Sequence, residues 1–134
     1  AEADNNKFIK SNAAPVDPTW RQTLEPDSVL LFRYSALTFN SHRIHYDRDY
    51  TTEIEGYPAL LVHGPLIATL LMNLLRQEMP RANVRNMNIR ATAPIFVDVA
   101  FTVNGVPAKN GKSVELWATT GSGELAMTID AELI

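Results

Sequence analysis

The stretch from Ala59 to Leu75 constrains this chain more than any other. It is the most membrane-like segment present, yet His63, Gly64, Pro65 and Asn73 interrupt it, and a spanning helix needs about 20 mostly apolar residues. It therefore reads as a helix buried in protein. Pro65 suits a first helical position, where no N–H is required, and the spacing predicts a helix from Pro65 to Glu78. Leu66, Leu70, Asn73, Leu74 and Gln77 fall along one side. Ile67, Leu71, Met72 and Leu75 widen the apolar surface past a single stripe, so the helix is expected to be wrapped on several sides.

After Pro80 the pattern changes to extended runs: a segment from Val84 to Ile89, then Ile95 to Val103, Ser113 to Thr120 and Glu124 to Leu133. Asn110-Gly111 and Gly121-Ser122-Gly123 are turn signals between them. Leu116 and Ala118, with Met127, Ile129, Ala131 and Leu133, alternate toward one covered face. One long apolar helix followed by an antiparallel meander implies an α+β fold, a curved sheet wrapped around a central helix. Upstream, Pro26-Asp27-Ser28 offers a helix start for a segment reaching Thr38, with a strand as the competing reading of that short run. Residues 1–19, with Pro15 and Pro18, are expected to form an extended lead-in, and residues 20–134 a single domain.

At 134 residues, 46% apolar and 20% charged, the chain is long enough to bury a core. Its net charge of −3 offers no basic surplus for nucleic acid or anionic lipid, so neither is an expected partner. No cysteine is present, which excludes disulfides, thiolate metal sites and a cysteine nucleophile. A reducing compartment fits this composition: the cytoplasm, or the mitochondrial matrix in a eukaryote. Polar residues 1–12 lack the apolar core of a secretory signal. An initial alanine is expected of a processed chain or of a piece whose upstream domain is missing.

All three histidines lie in two segments, Thr38-Phe39-Asn40-Ser41-His42-Arg43-Ile44-His45-Tyr46-Asp47 and Val62-His63-Gly64-Pro65-Leu66. The first has no clean period and reads as a loop, a common carrier of sites. Histidine suits proton transfer near neutral pH, and the free N–H groups of the helix beginning at Gly64-Pro65 suit a carbonyl oxygen that gains negative charge. A proton-transfer group and an oxyanion site thus lie close in sequence.

The string from Phe32 to Asp47, with Gly56-Tyr57-Pro58 and Val62-His63-Gly64-Pro65-Leu66, resembles the MaoC-like branch of the hot-dog fold. More narrowly it is similar to the group of hydroxyacyl-thioester dehydratase type 2 and mesaconyl-CoA hydratase. The similarity covers roughly residues 20–134, including Arg90 to Phe96 and Val114 to Ala118. The resemblance implies an acyl-thioester substrate, reversible (R)-specific addition of water to a 2-enoyl thioester, and no cofactor beyond the coenzyme A of the substrate itself. It also implies side-by-side pairing, as a homodimer or with a second hot-dog domain. The broader family places an aspartate five residues before its catalytic histidine. Here those positions are Asn40 and His45, and a carboxamide is no general base.

On this reading His45 is the base, Gly64 N–H the oxyanion donor, and Asn40 an orienting group that holds water. His42, His63 and Arg43 are placed on the substrate-binding side, His42 chiefly as a structural hydrogen bonder. Each has a plainer alternative: His45 as a packed loop histidine, Asn40 as a turn residue satisfying local backbone, His63 as a group satisfying the helix start. A zinc site from His42, His45 and His63 lacks carboxylate and second-shell support, so no metal is expected. Arg81, Arg85 and Arg90, like Arg43, are candidates for coenzyme A phosphates or simply a solvated face. Two rival functions stay open: a thioesterase on the same fold, and a non-catalytic acyl-binding or scaffold domain in which Asn40 marks lost chemistry.

Overall fold

The computed structural model describes residues 14, 15 and 17–134; most of the expected lead-in lies outside the described residues. The elements run β1 (Trp20–Leu24), α1 (Ser28–Thr38), α2 (Gly64–Glu78), β2 (Val84–Ala91), β3 (Phe101–Pro107), β4 (Ser113–Thr119) and β5 (Leu125–Leu133). All five strands form one sheet in the order β1-β3-β4-β5-β2, with every pairing antiparallel. The expected meander is β3-β4-β5. β2, although it precedes them, closes the far edge against β5.

α2 is the central helix. Its Leu66, Ile67, Leu71, Leu74 and Leu75 are buried against Val103, Leu116, Ala118, Ile129 and Ala131, one inward-facing set from three neighbouring strands. Each such leucine contributes about 1.5–3 kcal/mol relative to exposure, which fixes α2 against the sheet. Leu70 and Met72 are partly buried, whereas Asn73 and Gln77 face outward. One backbone approach is obligatory for glycine: a Cβ at Gly105 would sit 2.7 Å from Trp20 Cε3 and 2.9 Å from Leu116 Cδ2.

Three segments depart from the expected pattern. β1 occupies residues for which the sequence suggests no element; its three central residues, Arg21, Gln22 and Thr23, are exposed and give no apolar alternation. The run Ile95 to Val103 is not one strand. Ile95 and Val97 are buried in a connector that makes a single bridge, Leu61 to Phe96, and Asp98 at φ 63° turns the chain before β3 begins at Phe101. The loop after α1 contains a 3₁₀ turn, Arg43–His45, and a π-helical turn, Tyr50–Ile54.

Candidate active site

α1 begins where Asp27 Oδ1 accepts the Leu30 N–H at 2.7 Å, a side-chain cap on an otherwise unpaired donor. It ends at Phe39, which takes left-handed backbone at φ 55°. The Asn40 N–H then bonds the Ser35 carbonyl at 2.9 Å, so the chain reverses directly into the segment that carries the histidines. Asn40 Oδ1 accepts the His42 N–H at 3.1 Å, the turn geometry characteristic of asparagine. The 3₁₀ turn is braced by an Arg43–Asp47 ion pair at 2.8 Å and by Thr51 Oγ1, which donates to the Asp47 carbonyl at 2.6 Å. Arg43 also lies over the Tyr50 ring.

These braces deliver His45 to the connector before α2. His45 Nδ1 is 2.7 Å from the Leu61 carbonyl. Because a carbonyl only accepts, Nδ1 carries the proton in the neutral ring, and the lone pair is on Nε2. Nε2 bonds no described residue and is not among the buried unpartnered atoms, so it retains access to solvent. Leu61 is itself held, its N–H on the Ile44 carbonyl at 3.0 Å, and the next residue bonds the Ile95 carbonyl at 2.8 Å. His45 is therefore oriented by backbone pinned on both sides.

His63 lies beneath His45. The two rings stack with centroids 3.8 Å apart and planes 20° from parallel. The Tyr34 ring meets His63 edge-on at 4.7 Å, and Ser35 Oγ is 2.7 Å from His63 Nε2. His63 has no exposed surface and sits behind His45. His42 is exposed and approaches His45 edge-on at 5.7 Å. Arg43 is exposed, with its guanidinium committed to Asp47.

Burial pushes the His45 pKa below its ordinary 6.5; the nearby His42 pushes the same way, and the Leu61 hydrogen bond opposes. Burial, with a smaller contribution from His45, takes His63 down to about 4. Both rings are consequently neutral at neutral pH, a state in which Nε2 of His45 can take a proton.

Immediately after His63, α2 starts at Gly64. Its N–H has no partner among the described residues, Pro65 carries none, and the first bonded amide of the helix is Ile67 on the His63 carbonyl at 3.1 Å. A cavity of about 330 Å³ adjoins this point, lined by Gly64, Val62, Ile67, residues 91–95, Ala126 and Met127. Its apolar walls suit an acyl chain beside a donor that carries partial positive charge. A second cavity of about 300 Å³ opens on the outer side of α1 between Phe32, Ser35, Ala36, Phe39, Asn40, Ser41 and Tyr46. Among the described residues, no group of three or more His, Asp or Glu side chains is placed to hold a metal ion, and no helix is long and apolar enough to cross a membrane.

Residues 1–97 match the family model for hydroxyacyl-thioester dehydratase type 2. The chain belongs to this family. Over 119 residues it is 46% identical to mesaconyl-C(4)-CoA hydratase of Chloroflexus aurantiacus, covering 89% of this chain and 41% of that protein. It is 36% identical over 94 residues to the mitochondrial hydroxyacyl-thioester dehydratase type 2 of Schizosaccharomyces pombe, covering 69% of this chain and 30% of that one. This dehydratase-family chain thus spans less than half the length of these relatives. Among solved structures, the (R)-hydratase from A. caviae involved in PHA biosynthesis superposes with TM-score 0.74 at 20% identity, covering 90% of this chain and 98% of that one. A MaoC-like dehydratase from Phytophthora capsici gives 0.75 at 12% identity, over 92% of this chain and 44% of that one. These likenesses establish the hot-dog fold.

Ser35, which the sequence does not single out, contacts one of the three histidines. Four residues after the fully buried Leu31, Ser35 is the polar member of the buried row of α1. A buried hydroxyl on a helix requires a partner, and it has one in His63.

Proposed function

We propose that this member of the family catalyses reversible hydration of a 2-enoyl thioester, with His45 as general base and acid. The observation that carries this reading is the Leu61 carbonyl on His45 Nδ1, which leaves Nε2 as a solvent-accessible base next to the start of α2. In hydration, Nε2 takes a proton from water as the water oxygen bonds to the β-carbon. The double-bond electrons move through the α-carbon onto the thioester oxygen, where Gly64 N–H and the α2 dipole stabilise the enolate. The enolate then collapses as the α-carbon takes the proton back from His45, so one water has been added and the base is regenerated. Dehydration retraces these steps.

Support for a coenzyme A substrate comes from the named substrate of the Chloroflexus relative. The test follows a short enoyl-CoA by two signals, loss of conjugated-alkene absorbance and release of free thiol. Alkene loss without thiol is the expected result. Thiol release would establish the thioesterase alternative, and neither signal across a range of acyl chains would overturn catalysis.

Asn40 fits the water-holding role because its Oδ1 is engaged by the His42 N–H while its Nδ2 remains unbonded among described residues. Asn40→Asp keeps an acceptor for His42. Hydration by that variant is expected within about threefold of wild type, since one hydrogen bond is exchanged for another at roughly 1 kcal/mol. A folded but inactive Asn40→Asp protein would show that the amide donor is required.

The expected partner is a second hot-dog domain along β2. Among the described residues this strand pairs only with β5, all of it beyond Val84 is exposed, and Met87 and Ile89 stand 46% and 45% open. A long open edge with apolar side chains invites another strand. The ChsH1-ChsH2 complex from Mycobacterium tuberculosis, a structural neighbour at TM-score 0.73, is a two-protein assembly. Light scattering should give twice the chain mass, and Ile89→Lys should return it to one; a wild-type protein that stays monomeric at micromolar concentration would remove this partner.

A further inference from the structure

We propose that Ser35 and His63 form a buried positioning pair through which α1 sets both the base and the oxyanion donor; the proposal rests on His45 being the base. The hydrogen bond between Ser35 Oγ and His63 Nε2, at 2.7 Å, joins two fully or nearly buried side chains from elements far apart in sequence. Tyr34, the preceding residue of α1, meets the same imidazole edge-on, so α1 grips His63 through two consecutive side chains. The gripped ring is the floor on which His45 lies at 3.8 Å. Its own backbone leads directly into Gly64.

A purely structural account of this pair is weak. His63 Nδ1 is buried without a partner among the described residues, a cost that an apolar side chain of similar size would avoid. What a hydrogen-bonded ring supplies and a slippery apolar one does not is a fixed rotation about its own axis. That rotation determines where the face beneath His45 lies, and hence whether Nδ1 of His45 stays on the Leu61 carbonyl with Nε2 directed to the reacting atoms. A displacement of about 1 Å in a catalytic group is enough to cost on the order of a hundredfold in rate. Ser35 touches no reacting atom in this account; it acts through His63.

Ser35→Ala removes the bond with a loss of one atom and should fold. Its kcat for enoyl-thioester hydration is expected to fall about ten- to a hundredfold with KM within about twofold. In ¹⁵N-detected spectra of the histidine rings, His45 should pass from a single Nδ1–H tautomer in wild type to an average of both in the variant. Ser35→Thr restores a hydroxyl at a position bordering the cavity beside Ala36 and Asn40; it should recover both rate and spectrum. Wild-type kcat and an unchanged His45 spectrum in Ser35→Ala would overturn the proposal, as would a fall in kcat with the spectrum unchanged, which would put Ser35 on the substrate itself. Should wild type hydrate no enoyl thioester, the functional reading fails, while the ring spectra of the same variants still decide whether Ser35 and His63 hold His45.

Discussion

Replacing His45 by alanine is expected to lower the rate of enoyl-thioester hydration by about 10²–10⁴-fold, the usual contribution of a positioned general acid and base. The magnitude follows from the geometry. Nδ1 is committed to the Leu61 carbonyl at 2.7 Å, so the ring presents one basic nitrogen in one orientation, and no other imidazole can substitute. His63 is fully buried and needs a pH near 4 to gain a proton; His42 is exposed and only meets the edge of His45. The fold should survive, because His45 contributes a loop contact and not a core layer. The pH dependence gives a second check. The base must be neutral, and its pKa lies below 6.5 because the buried ring resists charge. Protonation then gives an acid limb centred below 6.5, and the profile should level off toward neutral pH and stay flat to mildly alkaline pH. A His45→Ala enzyme within threefold of wild type, or an acid limb centred above 6.5, would show that the proton moves through another group.

How much of this could be read beforehand depended on whether a residue's role was local. α2 was legible because Pro65 marks its start and its apolar width reports burial on several sides; the observed helix begins one residue earlier, at Gly64. α1 followed from Asp27, whose capping bond is made within three residues. β4 and β5 alternate because one of their faces lies against α2. β1 left no such trace: it is held by the β3 ladder, with Trp20 opposite Gly105, so its strand character depends on a partner more than eighty residues away. In the same way, Asn40 showed its local turn use, whereas Ser35 became meaningful only when α1 was laid against the start of α2. Spacing and resemblance rank the histidines, but the packing that makes them unequal is tertiary. His63 is fully buried because the His45 ring lies over it, while Nε2 of His45 bonds no described residue.

Gly64→Ala should separate folding from chemistry more sharply than any other single substitution. The backbone does not need glycine there, since Gly64 is not among the residues with left-handed φ, and an added Cβ would meet only Met127 Cε at 4.0 Å, an ordinary contact. Alanine is in general the better helix former, by up to about 1 kcal/mol in a helix interior and less at its first residue. The melting temperature is therefore expected to stay level or rise slightly. Hydration should nevertheless fall about 10²-fold in kcat/KM, because the methyl would occupy the approach to the Gly64 N–H at the positive end of α2 beside the apolar cavity, and moving the thioester oxygen off such a donor forfeits most of its stabilisation. A stable Gly64→Ala protein with wild-type kcat/KM would mean the oxygen is held elsewhere. A protein that loses activity together with many degrees of melting temperature would mean that the glycine serves the fold, contrary to the space around it. Only loss of rate in an intact fold fits a bare backbone kept for the substrate.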